Sequence, residues 1–151
     1  MKEFLVYLAG PIAGQSYTES VWWREYASSK FPPHIIGVSP MRGQKFRGAP
    51  VLRTDPYARA LTSPKGITHR DRMDVMRADL VLMNLTGTTE ISLGTVMEAA
   101  WADAFRKPLV IAMEESIPHR HPMLCEVAGF IVPTIDEAIA VAIAVLSPTV
   151  E

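Results

Sequence analysis

A chain of 151 residues with 48% hydrophobic and 21% charged side chains has the make-up of one ordinary globular domain, long enough to enclose a core. Its formal net charge of −1 gives no general attraction to a nucleic acid polymer or to an anionic membrane surface. A lone cysteine, Cys125, excludes an internal disulfide framework and a cysteine-rich zinc site.

The opening apolar run Phe4-Leu5-Val6-Tyr7-Leu8-Ala9 is too short to span a bilayer. Pro11 and Gly14 follow at once, unlike the layout of a signal peptide, so a cytoplasmic protein is expected. Gly10-Pro11 closes the run as a turn closes a buried strand. Val21, Trp22, Tyr26 and Ala27 predict a helix over 18–30, stopped by Pro32-Pro33, and Ile35-Ile36-Gly37-Val38 is a second strand. Residues 40–66 are rich in proline, glycine and arginine without a period, and a loop of that length is usually functional. Arg42, Lys45, Arg47, Arg53, Arg59 and Lys65 stand there against Asp55 alone, a pattern that suits solvent, a partner subunit or an anionic ligand. Phe46 and Tyr57 could stack on a planar base if this loop folds over a site.

Helical spacing returns over 67–78, and a strand follows at 79–85. Ser92-Leu93-Gly94-Thr95 then opens a helix that carries Glu98 and runs to about Arg106. Residues 109–113 form a fourth strand, and a polar loop with His119-Arg120-His121 comes next. Gly129-Phe130-Ile131-Val132 is a weak fifth strand. Thr134-Ile135-Asp136-Glu137 caps a last helix to about Leu146, apolar on nearly all sides, which hints at a subunit interface as well as core. Short apolar strands alternating with helices predict an α/β fold, a doubly wound parallel sheet with helices on both faces, as a single domain over 1–151.

The usual nucleotide motifs are missing. Ala9-Gly10-Pro11-Ile12-Ala13-Gly14 has the wrong spacing for a dinucleotide fingerprint, and Gly87-Thr88-Thr89-Glu90 lacks the lysine of a phosphate loop. No serine sits in a nucleophile elbow. His119-x-His121 has metal-ligand spacing, but two histidines in a polar loop are more often solvated, and no metal is assigned.

Carboxylates remain. Glu98 stands just after a strand–loop–helix junction, where open α/β folds bind ligands, and a lone acid there can attack or stabilise a developing cation. The same residues, Thr95-x-x-Glu98, also spell a capping box. Asp71 and Asp74 lie among Arg70, Arg72 and Arg77, as on a solvated helix face with an Arg70–Asp74 pair. Asp79 at the start of the third strand has the look of a local contact. Tyr7 either holds Glu98 in place from the end of the first strand or is a core tyrosine with another partner.

Tyr7-Leu8-Ala9-Gly10-Pro11, Arg70-Asp71 with Asp79 eight residues on, and Gly94-Thr95-x-x-Glu98 together resemble the nucleoside 2-deoxyribosyltransferase family, through most of the chain to about residue 123. The resemblance implies a flavodoxin-like fold of five parallel strands and active sites completed across a homo-oligomer interface. It implies that Glu98 is a nucleophile forming a covalent 2-deoxyribosyl intermediate with overall retention. Tyr7 would orient it, and Asp71 would give a proton to the leaving base and later take one back. Gly10, Ser92 and Gly94 would contact substrate, with His121 and Met123 supplied by a neighbouring subunit where the family carries Asn-x-Met. The substrates implied are a deoxynucleoside and a free nucleobase, with no cofactor. Ser92 departs from the family's aspartate at the sugar 5′-hydroxyl and looks like the related deoxynucleoside 5′-monophosphate hydrolases. Those hydrolases carry an arginine in the first loop, which residues 10–16 lack. Free nucleosides are therefore expected. The alternatives are an N-glycosidase acting on nucleoside monophosphates and a non-catalytic nucleotide-binding module in which Glu98 only caps a helix.

Overall fold

The computed structural model describes residues 2–42, 60 and 62–147. Within them the order is β1 (Phe4–Ala9), α1 (Tyr17–Lys30), β2 (Ile35–Val38), α2 (Pro64–Arg77), β3 (Leu80–Asn84), α3 (Leu93–Ala104), β4 (Leu109–Ala112), α4 (Pro122–Val127), β5 (Phe130–Val132) and α5 (Ile135–Leu146). The strands form one parallel sheet in the order β2-β1-β3-β4-β5. That is the doubly wound α/β architecture expected, in the flavodoxin-like order.

Apart from Asn84 at the end of β3, the strands carry no polar side chain but the Tyr7 hydroxyl, because helices cover both faces of the sheet. The side-chain period of two divides them. Val6, Leu8, Leu80, Leu82, Val110 and Ala112 point to one face and pack with Trp23 and Ala27 of α1 and Ala138, Ile139 and Ala142 of α5. Tyr7, Ala9, Val81, Met83, Leu109 and Ile111 point to the other and meet Val75 of α2, Ala99 and Ala102 of α3, and Leu124 of α4. Each large aliphatic side chain so enclosed contributes about 1.5–3 kcal/mol of hydrophobic stabilisation. Tyr7 is thereby committed to the face that carries α2 and α3.

Side-chain caps start each long helix. Ser16 and Glu19 form a reciprocal capping box on α1. Ser63 accepts from Gly66 N with Pro64 in the first turn of α2, which starts the helix at 64 rather than 67. Thr134 caps α5 through Glu137 N. Asp79 reaches further than a local contact. Its Oδ2 accepts from Leu5 N at 2.8 Å while its own N–H donates to Leu5 O at 2.8 Å, which clasps the start of β3 to β1. The polar loop expected after β4 contains α4, only six residues long. Among the described residues no helix is long and apolar enough to cross a membrane. Lys45, Phe46, Arg47, Arg53, Asp55, Tyr57 and Arg59 lie outside the described residues.

Candidate active site

The order of strands reverses between β1 and β3, and the crevice outside the C-terminal ends of those strands is where such sheets take ligands. A cleft of about 470 Å³ opens there. Residues 10–14 after β1 form one wall, Ile67 and Asp71 of α2 a second, and residues 90–95 with Glu98 the third. The backbone at Gly10 lies so close to its neighbours that a Cβ would stand 2.9 Å from Asn84 O and 3.1 Å from Trp23 Cζ2. Glycine is required where the first loop crosses the end of β3.

Glu98 is the sixth residue of α3, in its second turn and not its first. The N-cap is Ser92, whose Oγ accepts from Thr95 N at 3.4 Å and lies 2.8 Å from Thr95 Oγ1. The capping box through Thr95 and Glu98 does not form, because Thr95 occupies the N3 position and turns inward, 2% exposed. Glu98 is free of capping duty. Its carboxyl is pushed up to about 8, first by burial and next by the negative charge of Asp71. The Tyr7 hydroxyl and the positive charge of Arg24 act in the opposite direction.

Tyr7 is fully buried, and its phenol is raised well above 10 by burial, then by Glu98 and Asp71. It stays protonated and can only donate toward the carboxylate. The hydroxyl interacts with Glu98 without closing a well-formed hydrogen bond, and neither it nor Glu98 Oε2 has another partner among the described residues. A buried donor and a buried acceptor are thus left facing one another at the base of the cleft.

Asp71 and Asp74 are buried, not displayed on a solvated face. Asp71 lines the cleft, with Arg70 Nε 3.8 Å from its Oδ1. Arg70 does not pair with Asp74. Its Nη2 donates to Pro40 O, while Asp74 takes Arg42 Nη1 at 2.6 Å and Arg77 Nη2 at 2.8 Å. The first of these ties α2 to the turn after β2.

The cleft therefore brings together Gly10, Asp71, Ser92, Gly94 and Glu98, with Tyr7 behind them. It does not include His121 or Met123 of the same chain. His121 Nδ1 accepts from Met123 N at 3.2 Å as the N-cap of α4, and Met123 is 74% exposed. His119 is not solvated as expected from its polar loop. It is 2% exposed and bonded within the protein.

Two polar residues that sequence reasoning passed over are built into this region. Arg24 of α1 is 1% exposed, and its guanidinium donates to Leu8 O and Gly10 O at 3.0 Å each and to Ser20 O. It fixes the end of β1 and brings a positive charge behind Tyr7 and Glu98. Glu90 lines the mouth of the cleft as a third acid. Among the described lining residues there is no lysine, arginine or histidine.

The sequence matches the family model for nucleoside 2-deoxyribosyltransferase over residues 6–135. The chain belongs to the nucleoside 2-deoxyribosyltransferase family. Three solved structures share the fold of this family member. A conserved protein from Enterococcus faecalis V583 superposes with a TM-score of 0.64 at 18% identity, covering 91% of this chain and 96% of its own. A 2-deoxyribosyltransferase from Bacillus psychrosaccharolyticus gives 0.65 at 16% identity, covering 89% and 90%. The CMP N-glycosidase BcmB from Clostridium botulinum gives 0.56 at 16% identity, covering 94% and 99%. No curated protein matches the sequence. Membership in the 2-deoxyribosyltransferase family makes glycosyl transfer or hydrolysis at a nucleoside the chemistry for which this cleft has to account.

Proposed function

We propose that the protein transfers the 2-deoxyribosyl group between nucleobases through a covalent intermediate on Glu98, with retention. The observation that carries this reading is the Glu98 carboxyl. It is buried at the base of the switch-point cleft, flanked by Tyr7 and Asp71, and not used to cap its helix.

In the first half-reaction a Glu98 oxygen bonds to C1′ of the deoxyribose as the C1′–N bond breaks. The electron pair of that bond leaves with the base, which takes a proton from Asp71. In the second, a nitrogen of the incoming base attacks C1′, the ester to Glu98 breaks, and Asp71 takes the proton back. Two displacements at one carbon give net retention and ping-pong kinetics. The charge of Asp71 is one of the reasons Glu98 is hard to ionise, so the two carboxyls retain a proton between them below about pH 8. Placing that proton on Asp71 leaves Glu98 as carboxylate, which is the arrangement the first step needs. The absence of a 2′-hydroxyl eases formation of the oxocarbenium-like transition state, so deoxyribosides should outrun ribosides.

The acids of the lining, Asp71, Glu90 and Glu98, favour a neutral nucleoside over its phosphate. A second reading is hydrolysis of a nucleoside 5′-monophosphate. The backbone N–H groups of the first turn of α3 favour it, since Gly94 opens that turn to the cleft and a helix N-terminus suits a phosphate. We further propose that the site is completed by His121 and Met123 of a neighbouring subunit.

Incubating the protein with a deoxynucleoside and a different free base, then separating the products, tests the assignment. A new nucleoside is the expected product. Free deoxyribose would mean hydrolysis, and no change with either nucleoside or monophosphate would end both readings. Asp71→Asn should slow transfer from basic, poor leaving groups by about 10²–10⁴-fold and from activated ones much less. An equal loss for both would assign Asp71 to binding.

A further inference from the structure

The loop between β3 and α3 supplies one wall of the cleft, and a buried imidazole from the β4–α4 connection braces it from within. His119 Nε2 accepts from Ser92 N at 2.8 Å, and Ser92 is the N-cap of α3. On the other side of the ring, Nδ1 lies 3.1 Å from Thr88 Oγ1, which itself donates to Leu85 O at 2.9 Å. These bonds fix every proton. Thr88 gives its hydroxyl hydrogen to Leu85 O, so its oxygen must accept from Nδ1–H, and Nε2 carries the lone pair that meets the Ser92 N–H. From Ser92 the bonding continues through its Oγ to Thr95, one turn before Glu98.

We propose that neutral His119 is a positioning residue for catalysis, holding the first turn of α3, and with it Ser92, Gly94 and Glu98, in register with the cleft. This rests on the glycosyl-transfer reading above for its kinetic part and stands on the geometry alone for its structural part. Protonation would place a second N–H against the Ser92 N–H, and the bond would be replaced by repulsion. Burial holds the imidazole below its usual range, so the brace is intact at neutral pH and fails only in acid. The charged groups around it leave the ring alone. On its own connection Glu115 pairs with Arg120, Glu114 accepts from Gly87 N, and His121 caps α4. On the cleft loop Glu90 is exposed, on α3 Glu98 faces Tyr7, and on α4 Glu126 is exposed.

The test compares His119→Ala, His119→Gln and Thr88→Val. Glutamine can offer an acceptor to Ser92 N–H and cannot titrate. Amide exchange at Ser92, read by nuclear magnetic resonance, reports the brace without any substrate. Its protection factor, the rate corrected for the intrinsic pH dependence of exchange, should be high in the wild type at pH 7, lower at pH 5, low at both in His119→Ala, and high at both in His119→Gln. In the exchange of base on a deoxynucleoside, His119→Ala should lose about ten- to a hundredfold in kcat/KM, because small misplacements of a reacting group are costly. His119→Gln should stay within about threefold of wild type and lose the acid limb of the pH profile that His119 protonation produces. Thr88→Val, which removes the partner of Nδ1–H and leaves the ring in place, should fall between them, and it serves if the alanine variant does not fold. An unchanged Ser92 amide in His119→Ala, or a glutamine variant as impaired as the alanine one, overturns the proposal. If the wild type exchanges no base while the Ser92 amide behaves as stated, the glycosyl-transfer reading fails and the structural brace stands.

Discussion

Glu98 is held where water cannot stabilise its charge, so both its reactivity and its share of stability depend on pH. An unfolded chain would ionise this carboxyl near 4.5, whereas the folded protein keeps it protonated to about 8. Between those values the folded state binds the extra proton, so stability is fully present below 4.5 and falls as pH rises through 8. Glu98→Gln removes that dependence. It should be more stable than wild type by an amount that grows from pH 5 to pH 9, on the order of a few kcal/mol, measurable by denaturant titration. The same variant should lose transfer almost entirely, whereas loss of a mere helix cap would leave the rate largely intact. The proposed transfer needs Glu98 ionised and the shared proton on Asp71, so wild-type kcat/KM should fall as pH rises through about 8, where that proton is lost. The Tyr7 hydroxyl pulls the Glu98 value down, so Tyr7→Phe should move this limb to higher pH and slow the reaction at pH 7. A limb that stays in place would reduce Tyr7 to packing.

At the level of elements, α2 is anchored by a buried acid and two arginines. Asp74 is wholly enclosed, while Arg42 and Arg77 keep 38% and 47% of their side chains in solvent. Asp74→Asn leaves two cations that can turn to water, so the cost should be about 1–3 kcal/mol, below that of stranding a fully buried charge. Transfer should fall as well, since Asp71 rides on the same helix; a variant with wild-type stability would show the pairing to be ornamental. None of this was legible in the residues alone. Arginines alternating with aspartates over 70–77 spell a wet surface, and nothing in that spacing says that Asp71 and Asp74 turn inward. The strands were legible, because three to six mostly apolar residues between turn signals have few other uses. Glu98 was legible as a candidate, and the fold places it in the cleft, but its helix offered two plausible caps three residues apart, Ser92 and Thr95, and only the fold chose between them. At six residues α4 is too short to display a period. Arg24 and His119 escaped for a common reason: their partners are main-chain groups or hydroxyls scattered over distant segments, so no side-chain pattern announces them.

For the whole molecule, the outer surface of α2 and α3 bears Met73, Met76, Val96 and Met97, each between 37% and 51% exposed, with Leu93 at 72% beside the cleft. Together with the exposed Met123, this apolar band supports an assembly in which one subunit's α4 reaches another's cleft. The protein should sediment as a stable oligomer. Met97→Glu should dissociate it, and transfer should fall in step, whereas a fully active monomer would end the shared-site proposal. The clasp between Leu5 and Asp79 has a bearing on how the chain is made. It joins residues 74 apart, and β1, made before either neighbour, needs β3 on one side and β2 on the other. Until β3 emerges, one edge of this apolar strand has no partner, and a nascent chain must carry it unprotected past the whole of α1 and α2. Such distant pairing slows folding relative to helical domains of the same size. The central position of β1 that creates the cleft is therefore also the position that leaves the growing chain exposed to misassociation for longest.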